Sequence, residues 1–328
     1  MLLCGFLFAI PIAARTAPTP CLLVLSKGDR TLAMVDPTTL KSIARMPSGP
    51  DPHEVIASSD GKFAFISNYG GGAYNTITPV DLIARQSLKP IDLGPLRGPH
   101  GLDFAGGKLW FTAEVAKAIG AYDPSTNRVD WILGTGQNRT HMLIVSRDLS
   151  RIVTTNISSA TISIIDRISA PGPNHSKRND WNETVVPVGR GAEGFDISPD
   201  RREIWVANAR DGTISVVDSE KRAVVATIAA GIDGANRLKF TPDGRLVLVS
   251  LLNNADLVVL NAADRREVKR IPIGRGAEGI LMEPGGTRAF VSATPDDHVD
   301  AIDLKTLSVA GYIEAGKQPD GLAWVTAQ

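Results

Sequence analysis

The sequence predicts an all-β fold, a seven-bladed β-propeller of four-stranded antiparallel blades in which the N- and C-terminal strands share one blade. Three observations carry this reading. A short apolar strand ending on Asp or Asn recurs seven times: LAMVD to Asp36, ITPVD to Asp81, IGAYD to Asp123, ISIID to Asp166, ISVVD to Asp218, LVVLN to Asn261 and VDAID to Asp303. The intervals are 45, 42, 43, 52, 43 and 42 residues, a period that belongs to architectures built from repeated small sheets. No stretch sustains a helical period, whereas alternating and β-branched residues bounded by turn signals run throughout the chain.

Each repeat divides into four strand-like pieces. In the best-formed copy these are EGFDIS (193–198), EIWVA (203–207), TISVVD (213–218) and AVVATI (223–228), punctuated by Pro199-Asp200 and Asp211-Gly212. One such unit cannot bury its own apolar faces, so the units must stack on one another. The last piece, DGLAWVTA (320–327), reads as a first strand with no successors. At the other end, LLVLS (22–26) and TLAMVD (31–36) read as second and third strands without a first. The two chain ends therefore complete one blade, which removes an open sheet edge.

The propeller is expected over residues 21–328, preceded by a leader over residues 1–20. Residues 2–14, LLCGFLFAIPIAA, form an apolar run too short to span a bilayer. The run fits a secretory signal with small residues at Ala13, Ala14 and Ala17, and Pro11, Pro18 and Pro20 argue against a buried strand. Export to the periplasm or the exterior is expected, with no transmembrane segment in the mature chain.

Composition narrows the function classes. Lys and Arg number 35 and Asp and Glu 35, so the chain lacks the bulk positive charge of a duplex nucleic-acid binder. Cys4 and Cys21 are the two cysteines, which excludes a disulfide scaffold and a Cys-based zinc site. The sequence has no G-x-S-x-G elbow, Walker loop, HExxH or C-x-x-C-H. The GGG at 70–72 is followed by neither Lys-Ser/Thr nor a helix, and is read as a rim loop rather than a phosphate loop.

The segments GAEGFDISPDRREIWVANARDGTISVVD (191–218) and DPHEVIASSDGKFAFISNYG (51–70) resemble the YVTN-type repeats of seven-bladed propellers. WD40 repeats are disfavoured because their Gly-His and Trp-Asp marks are missing. The YVTN-like group includes surface proteins, quinoprotein-like and heme-handling relatives, lactonases and lyases. The resemblance therefore implies the fold, and leaves a binding function and a lactonase-like activity both open.

In a propeller the first strand of each blade lines the central channel, and its opening residue sits at one mouth. That position reads His53, His100, His141, Glu193, Asn236, Glu278 and Asp320. The three histidines come from consecutive blades and should form an arc. They are either polar residues wetted by the channel or a site for a divalent transition metal with open coordination positions. In the second case Glu193, Glu278 or Asp320 could act as general base. Loops on the same face supply Arg97, Arg139, Arg190 and Arg275, which suit a carboxylate or phosphate, together with Asn68, Tyr69, Tyr74, Glu114, Asn156, Asn208 and Arg210. The longest interval holds a polar insertion, RISAPGPNHSKRNDWN (167–182), which strand direction places on the opposite face as a surface or partner-binding loop.

The expected function is an exported, monomeric propeller that binds a small anionic molecule, a metal or a protein partner at the His/Arg mouth. The alternative is a metal-dependent hydrolase or lyase using the same histidines. No motif fixes a cofactor.

Overall fold

The computed structural model describes residues 20–171, 177–229 and 231–326. Seven antiparallel sheets follow one another around an axis. Blade 1 orders Pro319–Val325, Cys21–Ser26, Thr31–Asp36 and Lys41–Pro47 from the channel outward. Blades 2 to 7 begin with inner strands Pro52–Ala57, Pro99–Ala105, Thr140–Val145, Ala192–Ile197, Ala235–Phe240 and Ala277–Met282. The predicted closure is present: Leu22 faces Trp324, Leu23 faces Ala323 and Val24 faces Leu322. Residues 1–19, where the leader is expected, lie outside the described residues.

The core sits in the seams between blades. The second and third strands of each blade are sandwiched by neighbours on both faces, so they read as continuous apolar runs. In blade 5, Ile204–Ala207 and Ile214–Val217 are all buried, and Ser215 is the one polar residue among them. Fourth strands have one face in solvent, and burial alternates along them, as in Arg128–Gly134. The closing seam packs Leu22, Val24, Ala33 and Val35 against Phe290, Val299 and Ala301 of blade 7. Each fully buried Leu, Val or Phe contributes roughly 1.5–3 kcal/mol, so closure is held by apolar contact as well as by strand pairing.

The insertion after Asp166 differs from the expected loop. The third and fourth strands of blade 4 each lengthen to 11 residues, Thr161–Pro171 and Lys177–Pro187, and pair without a break. Alternation explains it: Trp181 points to one face and meets Trp131 of blade 3 at 5.4 Å, and Trp131 in turn meets Trp110 at 5.2 Å. An aromatic ladder gives the extended hairpin a packing partner.

Candidate functional site

A repeated device sets the channel residues at one height. Each inner strand has a register shift at its opening, for example between Pro52 and Val55 and between Thr140 and Leu143. The shift frees an N–H just after the channel residue, and a buried hydroxyl on the second strand accepts it. Glu54 N–H donates to Ser67 Oγ (3.1 Å), Gly101 N–H to Thr112 Oγ1 (2.9 Å), Met142 N–H to Thr155 Oγ1 (3.2 Å) and Arg237 N–H to Ser250 Oγ (3.1 Å). Hydroxyls at this position also reach the next blade: Thr112 donates to the His141 carbonyl, Thr155 to Glu193, Ser250 to Glu278 and Ser292 to Asp320, at 2.7 to 3.0 Å. Gly101 permits this approach, because a Cβ there would stand 2.5 Å from the His141 carbonyl oxygen.

On this frame the three predicted histidines do converge. The His100 ring lies 5.2 Å from His53 and 3.9 Å from His141. Tyr69 stands edge-on to His53 at 5.0 Å and to His100 at 5.2 Å. Glu114, almost fully buried, is the hub of this arc. It accepts from Tyr69 Oη (2.5 Å), engages His141 Nδ1 (2.5 Å) and lies 3.4 Å from Arg139 Nε. On its other side, His141 Nε2 lies 3.0 Å from Glu193.

The charge states follow from these contacts. Burial opposes the imidazolium of His141, but Glu193 and Glu114 outweigh it and raise its pKa. Glu193 is likewise penalised by burial, yet His141 and Arg237 hold it down at about 2. Burial holds His100 well below the ordinary imidazole range, and the charged His141 adds to this. Burial, reinforced by Lys27, lowers His53 too. The contacts thus favour the charged ring at His141 and the neutral ring at His100 and His53.

These contacts bear on the expected three-histidine metal centre. Nδ1 of His141 is taken by Glu114, while Nε2 lies 3.0 Å from Glu193 without a hydrogen-bond partner. Among the described residues, no group of three or more His, Cys, Asp or Glu is arranged to hold a metal ion.

The opposite arc comes from blades 6, 7 and 1. Lys27 lies 2.6 Å from Glu278 and 3.1 Å from Asp320. One ammonium serves two carboxyls, so burial and the neighbouring Asp320 push Glu278 up to about 7. Asp320 is also raised, chiefly by burial. His53 joins the arcs, with Nδ1 3.6 Å from Asp320 and Nε2 3.5 Å from Asp51. Arg237 of blade 6 crosses the bore to Glu54 of blade 2 at 2.9 Å and lies 3.7 Å from Glu193. Beyond this pair the bore continues as a cavity of about 360 Å³ lined by apolar residues such as Leu102, Met142 and Leu322 and by charged ones, Asp103, Arg147 and Lys239.

Other expected ligand groups are placed differently. Asn68, Asn156 and Asn208 are fully buried and clasp their own blades. Their Nδ2 groups donate to Thr76 and Thr78, Thr161 and Ser163, and Thr213 and Ser215 respectively, at 2.9 to 3.1 Å. The alternating T-x-[ST] of the third strand puts two hydroxyls on one face, and the amide bridges both. Arg190 and Arg275 pair with Asp211 and Asp296 on the outer rim, with side chains 76% and 73% exposed. Arg97 and Tyr74 are also exposed rim residues. Asn236 is buried beside Arg237, whose Nη1 donates to its Oδ1 at 3.3 Å. Sequence reasoning missed Lys27, Glu54 and Arg237. The last two follow the channel position by one residue, where four other blades carry glycine, so their departure from that pattern was a readable signal.

The model of the cytochrome D1 heme domain matches residues 152–294. By sequence the likeness is to heme d1 proteins. Dihydro-heme d1 dehydrogenase of Pseudomonas aeruginosa is 32% identical over 135 residues, covering 37% of this chain and 27% of its own. The chain thus matches about a quarter of the length of that relative. Among solved structures, a functionally unknown protein from Desulfotomaculum acetoxidans aligns with a TM-score of 0.74 at 13% identity, over 94% of this chain and 100% of its own. A putative 6-phosphogluconolactonase from Bacteroides fragilis gives 0.73 at 14% identity, over 94% and 99%. Dihydro-heme d1 dehydrogenase NirN in complex with DHE gives 0.61 at 16% identity, over 89% of this chain and 63% of its own. These structures share the propeller fold.

Proposed function

We propose that this protein is an exported binding propeller whose channel mouth holds a small anionic ligand, a metallotetrapyrrole of the heme d1 type. The observation that carries the reading is the donor set. A free metal ion needs several protein ligands, and the described residues assemble no such group. A metallotetrapyrrole carries most of its metal's donors itself, and His53 and His100, whose neutral forms burial favours, would hold it at the mouth. His100 Nδ1 is buried with no hydrogen-bond partner, an uncompensated polar atom of the kind that a ligand site explains. Arg139, half-exposed beside Glu114, is placed to meet a carboxylate side chain of such a ring. The sequence likeness to heme d1 proteins supports the same ligand class. When bound, the metallotetrapyrrole would supply the redox and ligand-binding chemistry. The chain's own residues would orient it, fix the neutral state of the imidazole and balance its charge.

Titration with heme d1, followed by visible absorbance, is expected to give a saturable spectral shift. His53→Ala/His100→Ala should abolish the shift while keeping the thermal midpoint, because these side chains face the bore rather than a blade seam. A wild-type protein with no saturable shift overturns the reading. Export rests on the apolar run at residues 2–14. N-terminal sequencing from the native host should find residues 1–20 removed, and recovery of intact Met1 in the cytoplasm would contradict it.

A further inference from the structure

We infer that the face opposite the histidines carries a second binding site, for an organic anion with an apolar body, in the cleft between blades 4 and 5. The cleft encloses about 720 Å³ and is lined by Arg147, Arg151, Arg167 and Arg201, with Asp166 as its one acidic residue. That acid is already neutralised. Asp166 accepts from Arg151 Nε at 2.6 Å and from Arg222 Nη2 at 2.7 Å. Arg151 is tied further to Ser219 Oγ at 2.8 Å. Among the described residues, the side chains of Arg147, Arg167 and Arg201 have no hydrogen bond or ion pair, although Arg147 feels the charge of Asp103 at the end of the bore. The nearby Asp148 and Asp200 are turned into their own turns, where Ser146 and Ser198 donate to them at 2.6 Å. The cleft is thus a concentration of unmatched guanidinium groups. Its wall is apolar, with Val153 and Ile204 fully buried behind it and Ile197 beside them.

The turns that carry two of these arginines point the same way. The loop after the inner strand reads SSDG in blade 2, TPDG in blade 6 and EPGG in blade 7, with Gly61, Gly244 and Gly286 at φ of 66°, 71° and 67°. Blade 5 holds Arg201 at the same place with φ of 62°. Blade 4 puts Arg147 where blade 2 has Ser59. Blade 4 holds Leu149 at that left-handed position, with φ of 56°, so both turns depart from the glycine pattern and two of their side chains are arginines facing the cleft. Guanidinium forks recognise carboxylates and phosphates, and the apolar wall selects an anion with a hydrophobic body over a bare inorganic one.

The test uses 8-anilinonaphthalene-1-sulfonate as anionic probe and N-phenyl-1-naphthylamine as its uncharged analogue, with the full-length protein. Arg147→Ser/Arg201→Gly restores the residues that the same turn carries in other blades, so folding should be retained. The anionic probe is expected to bind the variant about tenfold more weakly than wild type, and the uncharged probe equally to both. Decanoate should displace the anionic probe where inorganic phosphate at the same concentration does not. The inference fails if the anionic probe binds the variant within about twofold of wild type. It fails equally if the uncharged probe loses affinity in parallel, or if phosphate displaces as well as decanoate.

Discussion

The two arcs of the channel mouth use the same residue types to opposite effect. On the His141 side, Glu114 and Glu193 are ionised, because an imidazolium and two arginines stand close to them. On the Lys27 side, the buried Asp320 and the half-buried Glu278 share one ammonium, and Glu278 is pushed up to about 7. Burial is severe in both places, so burial does not decide the charge state. The supply of cations per carboxylate does. One side of the mouth is thus a fixed field of matched charges, and the other is a proton store that titrates near neutrality. A ligand entering between them meets a rigid wall and an adjustable one.

Removing Arg237 should disturb this balance most. It pairs with Glu54 across the bore and approaches Glu193, with only 13% of its side chain exposed. Arg237→Leu leaves two buried carboxylates short of a cation, and breaking a buried pair in this way costs about 3–5 kcal/mol. Denaturant unfolding should show a loss of that size at neutral pH. The loss should shrink as pH falls towards about 2 and Glu193 protonates. A variant as stable as wild type would mean that the arc is not held by matched charge.

Glu278→Gln sharpens the contrast with a smaller effect. Glu278 has its folded pKa raised, so its contribution to stability is present below the ordinary carboxylate range and lost as pH rises through about 7. Glu193 behaves in the reverse sense. Its contribution is present above the ordinary range and is lost as pH falls towards about 2. Gln stays neutral at every pH. The variant should therefore gain on wild type between about pH 5 and pH 8, by on the order of 2–3 kcal/mol, when unfolding is measured across that range. Parallel pH curves for the two proteins would show that the Lys27 arc does not store a proton.

Much of this architecture was legible in the chain. The recurrence of the strands ending at Asp36 through Asp303 defines the blades, and the orphan strand at 320–327 defines the closure, because strand patterns and turn residues act locally. Register then places His53, His100 and His141 together, since equivalent positions of a closed repeat must sit at equal height. Asn68, Asn156 and Asn208 read in the sequence as ligand groups of the mouth, and the T-I-T and T-I-S pairs that they clasp stand a few residues downstream. The extended hairpin of blade 4 escaped notice because Pro171, Gly172 and Pro173 mask the alternation around Trp181.

What the sequence by itself determined is the number of blades, their closure and the ring of inner-strand residues, His53 to Asp320, that opens the mouth. What only the tertiary structure decided is which of them are charged. Arg237 and Glu54 are separated by 183 positions, and Lys27 and Glu278 by 251, yet each pair lies within hydrogen-bonding distance across or around the bore. Coulomb energy and desolvation change steeply over a few ångströms. Position in a repeat fixes the height of a residue on its blade, but the distance between two side chains reaching across the bore also depends on the size and twist of the closed ring.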